Sequence, residues 1–375
     1  MGLLRIIIAT LVIGSITGCG HSTIKPEFKD WMALNRASLS SSENSGPDSI
    51  SVRSEVLKID AIYRSMQGPY SRFTLVDLAQ ISSDIIWLTG YKCEIFNAET
   101  GERVADEFLC HNNLNYCQPD SYPWKIKTLG SEKRIFTLTA GQTKIYLPDG
   151  MGIPVKTENN LQFFSQALNH NYDSIDLPTY QKVTVYYRED NSTTNNIIPL
   201  YTQTPFITTK IGGPDGGFNE ITSDQYFPEL ICGFDSSNTC HISFPPNAKY
   251  NPYHDEFGRT YNGHWNLDSK KQSWTTNITN MLDLSEKKTV VAIGGHVHPY
   301  AINVELWDLT NNNKLYDLSV DNYLDKIGLN QIEYNKNLRI ELDNNSQYAL
   351  RTNYHCTDSV HTHTGMANLG LYIME

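Results

Sequence analysis

The sequence predicts an all-β protein, and three observations carry that prediction. Aromatic residues are dense, with 22 Tyr and 13 Phe among 375 residues, while charged residues make up only 19%; aromatic side chains suit a pleated, half-buried surface. Short apolar runs are separated by clusters of Asn, Asp, Gly and Ser, the punctuation of turns. Helical periodicity is nearly absent, whereas period-2 alternation recurs. Runs at this density fit two tandem antiparallel β-sandwich domains of jelly-roll type.

From the start of the chain, Arg5 supplies a positive charge and residues 6–16 form an apolar run too short to span comfortably as a mature helix, so residues 1–19 read as a signal peptide. The run ends in Ile16-Thr17-Gly18-Cys19, which resembles the bacterial lipobox. That resemblance implies lipidation at Cys19 and a lipid anchor in the bacterial cell envelope; Gly20 rather than Asp after the cysteine favours the outer membrane. An ordinary secretory signal with a coincidental cysteine is the alternative.

Residues 20–65 are expected to be a Ser-rich polar tether, since the chain from His21 to about Ile59 lacks the apolar surface needed to fold alone. The remaining ~310 residues exceed what one core usually serves. They divide at the polar stretch 189–196 into an N-terminal sandwich, 66–205, and a C-terminal one, 206–375. Strand-like runs fall at 85–95, 134–139, 143–147, 182–188, 338–342, 348–354 and 367–374. Asn311-Asn312-Asn313 and Asp343-Asn344-Asn345-Ser346 each predict a hairpin connection.

A net charge of -11 and a pI near 5.5 exclude nucleic acid as a partner, because no basic face is available to neutralise phosphates. With Cys19 lipidated, six cysteines remain, at 93, 110, 117, 232, 240 and 356. An even number in an oxidising compartment suggests disulfides. Cys232 and Cys240 flank a short loop and are the expected pair; the other four permit three pairings. The rival reading, a cysteine zinc site, lacks a Cys-x2-Cys pair. There is no Gly-rich phosphate loop, Gly-x-Ser-x-Gly elbow or His-Glu-x-x-His motif.

The chemistry concentrates in Gly294-Gly295-His296-Val297-His298-Pro299-Tyr300. The β-branched run 289–293 precedes it, and residues 301–309 follow, with Ile302, Val304 and Leu306 alternating against Asn303, Glu305 and Trp307, the period of a half-buried strand. Residues i and i+2 of a strand share a face, so His296 and His298 offer two imidazoles side by side. A third donor is available at Met366, in Met366-Ala367-Asn368-Leu369. Taken alone, His-x-His on a strand also occurs as a surface pair, and Met near a last strand as core filling.

A His-x-His pair entering a strand, followed by a long antiparallel stretch and a Met-x-Asn-Leu motif, resembles the second catalytic domain of the copper type II, ascorbate-dependent monooxygenases. That family includes the peptidylglycine α-hydroxylating and dopamine β-monooxygenases. The resemblance implies copper as cofactor, held by His296, His298 and Met366. It further implies hydroxylation of an activated C–H bond with O2, on a small-molecule or peptide substrate, with an ascorbate-like reductant. In the amidating branch an Arg two residues before the first His reads a peptide carboxylate; Gly294 stands there. Asn368 is the one substrate-side position carried over.

The family's first domain holds a second copper through an adjacent His pair and a later His. By layout these correspond to His111, followed by Asn112, and to His170. An amide is a poor copper ligand, so one copper per chain is expected rather than two, with little effect from losing His111. The alternative makes His111 and His170 strand-end residues bonded to backbone. Two further features remain open: His355, His361 and His363 lie just ahead of Met366 and are able to complete or compete for a metal site, and His264 beside Trp265, which precedes the central strand, reads either as a neighbour of the site or as packing. The rival to an enzyme is a non-catalytic surface or copper-binding lipoprotein with the same fold.

Overall fold

Alternation builds the sheets. In the strand Ile85–Asn97, Tyr91, Cys93 and Ile95 point into a core while Lys92 and Glu94 pair on the outside at 2.9 Å. Its neighbour Leu177–Glu189 buries Thr179, Gln181, Val183, Val185 and Tyr187 in the same rhythm. The two pair antiparallel along their whole length. The computed structural model describes residues 47–375 except 64, 118–121, 124–133, 192–195, 212–219, 222–249 and 256. The expected signal peptide with Cys19 and the expected Cys232–Cys240 pairing lie outside the described residues.

The first half contributes β1 (Asp48–Arg53), β2 (Leu57–Ile59), β3 (Tyr70–Val76), β4 (Ile85–Asn97), β5 (Leu109–Tyr116), β6 (Arg134–Leu138), β7 (Lys144–Tyr146), β8 (Met151–Lys156), β9 (Leu161–Ala167), β10 (Leu177–Glu189) and β11 (Ile198–Gln203). The second contributes β12 (Thr209–Ile211), β13 (Glu220–Ile221), β14 (Tyr261–Asn262), β15 (Trp265–Leu267), β16 (Lys271–Asn277), β17 (Lys288–Val297), β18 (Ala301–Asp308), β19 (Asn313–Asn322), β20 (Leu329–Ile332), β21 (Asn335–Leu342), β22 (Tyr348–His355), β23 (His363–Gly365) and β24 (Ala367–Met374). The α-helix α1 (Thr279–Leu282) is a single turn, and no helix among the described residues is long and apolar enough to cross a membrane.

The fold is an all-β sandwich in which one large sheet serves both halves. Its strand order is β1-β10-β4-β8-β11-β24-β17-β21, with β2 joined to β10 and β7 to β4. A four-stranded sheet, β3-β9-β5-β6, packs on the first half of it around Tyr91, Phe136, Phe163, Val183 and their neighbours. A five-stranded sheet, β16-β22-β18-β19-β20, packs on the second half around Val290, Ile293, Val304, Leu350 and Leu369. Near residue 205 the chain runs along β24, with Leu369 N–H donating to the Pro205 carbonyl at 3.1 Å and Ile207 N–H to that of Ala367 at 2.9 Å.

Four expectations need correction. The folded part begins inside the expected 20–65 tether: β1 and β2 pair with β10, burying Ile50, Leu57 and Ile59, and these few apolar residues suffice because the partner strand is already in place. The turn at 343–346 is not a hairpin. Its flanking strands β21 and β22 belong to different sheets, and the Tyr348 hydroxyl fixes the corner by accepting from Asp343 N–H at 2.6 Å and donating to the Asp343 carbonyl at 3.0 Å. In β18 the alternation slips at a bulge between Ala301 and Asn303, which leaves Ile302 exposed while Ala301, Val304 and Leu306 are fully buried. Finally, no disulfide joins Cys93, Cys110, Cys117 and Cys356. Cys93 contacts Gln181 in the first core and Cys356 contacts the Asp358 carbonyl at the far end of β22, so the strands carry these thiols to separate places.

Candidate metal centre: a buried histidine cluster

Strand register assembles the first part of the site. β17 pairs antiparallel with β24, setting His296 opposite Asn368 and Val297 opposite Ala367, and the His298 N–H donates to the Met366 carbonyl at 3.3 Å. Directly opposed residues share a face. His296, His298, Met366 and Asn368 therefore line one side of the pair, as the alternation predicts, while Val297 turns into the second core. His296 and His298 are 3% and 2% exposed, with ring centroids 5.8 Å apart. Gly294 and Gly295 let the first half come close: the Gln142 Oε1 accepts from Gly295 N–H at 3.2 Å, and a Cβ on Gly294 would lie 2.8 Å from the Gln142 amide.

His111 arrives from the other half. In β5, Asn112 faces the first core, where its amide bonds to Tyr91, Ser165 and Gln181. The residue before it must face the opposite side of the sheet. That side is covered by β17, so the His111 ring meets His296 edge-on with centroids 5.7 Å apart, and stacks on Phe164 at 5.0 Å. The adjacency of His111 and Asn112 in sequence is thus misleading, because the amide is a structural group of the sandwich interior.

His264 completes the group, with its ring 5.3 Å from that of His298 and 1% exposed. Its N–H donates to the Asn262 side chain at 3.1 Å, and Trp265, next in sequence, is wedged against Trp274 at 4.7 Å and Tyr354 at 5.8 Å. The packing read from the sequence is real, and it belongs to Trp265. The reading of His264 as a neighbour of the site, from its place ahead of the central strand, agrees with this position, whereas no spacing rule links His111 to His296.

The nitrogens are held in the form that binds metals. His298 Nδ1 lies 3.0 Å from the Thr364 carbonyl; a carbonyl only accepts, so Nδ1 carries the proton and Nε2 the lone pair. That Nε2 is buried without a hydrogen-bond partner, as are His296 Nδ1 and His111 Nδ1. Burial first, then neighbouring His264 and His296, hold the His298 pKa well below the ordinary imidazole value; burial, then His296, Arg134 and His264, do the same for His111. His296 is pushed down to about 3 by burial, His264 and Arg134. Each unpartnered buried polar atom costs about 1–3 kcal/mol. Three such atoms fall on rings that adjoin one another, His111, His296 and His298.

Ring spacing suits a metal better than ring orientation does. With metal–nitrogen bonds of 2.0–2.1 Å in tetrahedral geometry, ligand ring centroids stand roughly 5 Å apart, close to the 5.3, 5.7 and 5.8 Å found here. Among the described residues, however, no three His, Cys, Asp or Glu side chains have their donor atoms gathered for an ion. The rings are adjacent, and their nitrogens are not aimed at one point.

The other candidate residues take different places. Met366 is half-buried, its carbonyl accepting from the Tyr354 hydroxyl, and Asn368 is buried opposite His296. His170 is not grouped with His111. Its Nε2 lies 3.3 Å from Ser65 Oγ, burial followed by His363 pushes its pKa down to about 4, and it lines a cavity of about 20 Å³ together with His298, Glu107 and Cys110. Such a cavity holds about one water. His355 is exposed, and His361 and His363 are both bonded to Asp358, at 3.0 and 2.8 Å.

No protein-family model matches the chain, and no curated protein does. Among solved structures it is similar to the major capsid protein P2 of bacteriophage PM2, at 11% identity over 90% of this chain and 95% of that one, with a TM-score of 0.26. The ANX2 ectodomain from Arabidopsis thaliana follows at 8% identity, 90% and 88% coverage and a TM-score of 0.17, and infectious bursal disease virus Gx strain at 9%, 90% and 73%, and 0.19. Likenesses of this size carry no argument about fold or activity.

Proposed function

We propose that this chain binds a transition metal of the copper class, with His296 and His298 as core ligands and Met366 as the third donor that the sequence resemblance implies. The supporting observation is the set of neutral, buried imidazole nitrogens without partners. Imidazole suits copper and zinc, and a thioether favours Cu(I). Bound copper would supply one-electron redox chemistry and a position for O2. The chain's own part is to hold the His298 tautomer through Thr364 and to keep bulk water out with Gln142, Trp265 and β24. An envelope lipoprotein anchored at Cys19 is the setting this reading assumes.

A second reading, hydroxylation of a C–H bond with an ascorbate-like donor, is favoured by Met366 and Asn368 sharing a face with both histidines. The cavity beside His298 is too small for a peptide or an organic substrate, so turnover would require the two halves to part there. Metal holding is the better-supported function. Copper loading of chelator-stripped protein, followed by gel filtration and elemental analysis, tests it. About one copper per chain is expected, and none in the His296→Ala, His298→Ala double variant. Wild-type protein that retains no more copper than the double variant would sink the reading.

A further inference from the structure

We infer that the metal centre is composite: His111 from the first half and His264 join His296 and His298 as ligands, forming one four-imidazole site across the two halves. This rests on the metal-binding reading above and changes its ligand set. Each added histidine is placed by a different element, and each is more than nine-tenths buried. His111 is aimed out of the first sandwich by the alternation that sends Asn112 inward, its plane is held by stacking on Phe164, and its Nδ1 has no partner. His264 is held between the Asn262 amide and the wedge of Trp265.

The rings form a continuous chain, His111 to His296 to His298 to His264, at 5.7, 5.8 and 5.3 Å. β5 and β17 belong to different sheets, so gathering the nitrogens on one ion takes rotation of the four side chains toward one another, each strand keeping its own partners. Four imidazoles complete a tetrahedral shell without a thioether. The expected occupants are Cu(II) and Zn(II), the borderline ions that imidazole serves best, and Met366 becomes dispensable. Binding would also tie the two sandwiches together, because ligands from both halves meet on one ion. This reverses the expectation that loss of His111 has little effect.

X-ray absorption of the copper- and zinc-loaded full chain, combined with competition titration against a chelator, tests the inference. A nitrogen-only shell with outer scattering from three or four imidazoles is expected, with His111→Gln and His264→Gln each weakening zinc binding about tenfold or more, and Met366→Leu binding as wild type. A sulfur scatterer on copper, or His111→Gln and His264→Gln binding as tightly as wild type, overturns the composite site and leaves the proposed function standing on His296, His298 and Met366. Absence of metal from wild-type protein overturns both. Where a glutamine variant loses its far-UV circular dichroism signal, the imidazole count of the wild-type shell decides.

Discussion

The chain holds two His-x-His pairs, and the fold treats them differently. His296 and His298 sit at the end of β17, both buried, with His296 Nδ1 and His298 Nε2 lacking a hydrogen-bond partner and other imidazole rings next to them. His361 and His363 sit before and at the start of β23, both bonded to one oxygen of Asp358, with the His361 side chain 72% exposed. The first pair is left with unpartnered nitrogens in a buried place. The second has a carboxylate to satisfy it and water to screen it. Burial and the identity of the nearest partner, neither of them visible in the spacing, separate a metal-ready pair from a solvated ion cluster.

The largest expected effect comes from exchanging the pairs in a binding assay. Removing His361 and His363 together by alanine substitution should leave copper retention at wild-type level, in contrast to the complete loss expected for His296 and His298. Elemental analysis of both double variants makes the comparison, and equal loss from both would show that the surface pair is part of the site.

A smaller effect is expected at Gly365, on the strand that separates the pairs. β23 pairs with β15, setting Trp265 opposite Gly365, and a Cβ there would lie 2.3 Å from the Trp265 Nε1. Gly365→Ala should destabilise the protein by about 1–3 kcal/mol, the usual cost of overpacking, measured as a lower denaturant midpoint. It should also weaken metal binding by displacing His264, which Trp265 holds. Unchanged stability would mean that the ring has room to yield.

The smallest effect concerns acid. The His363 hydrogen bond, the largest cause, holds the Asp358 carboxyl well below its ordinary value of 3.8; burial, next in size, opposes it, and the Val360 and His361 bonds add to the lowering. A carboxylate whose pKa is depressed by folding contributes stability above its unfolded pKa and loses it as pH falls through the lower, folded value. The 358–363 loop should therefore stay closed through the pH range in which ordinary carboxylates titrate. Asp358→Asn should loosen it already near neutrality, seen as faster amide exchange at Val360 and His361, whose N–H groups donate to Asp358. Equal exchange in the two proteins would show that the loop is held by other contacts.

The sequence by itself determined the β architecture, most strand positions and the face shared by His296 and His298. These are local consequences of a two-residue period, so runs such as 85–95 and 367–374 were legible from alternation and turn residues alone. The tertiary structure decided the rest. Only sheet topology could reveal that 343–346 turns between sheets, that β1 and β2 belong to the folded part, and that the bulge at Ile302 shifts a strand's facing. Likewise, Asn112 is a core residue because β5 is buried on both sides, and His111 meets His296 because the second half covers that outer face. Contacts between residues far apart in the chain depend on which surfaces are buried together, and periodicity carries no information about that.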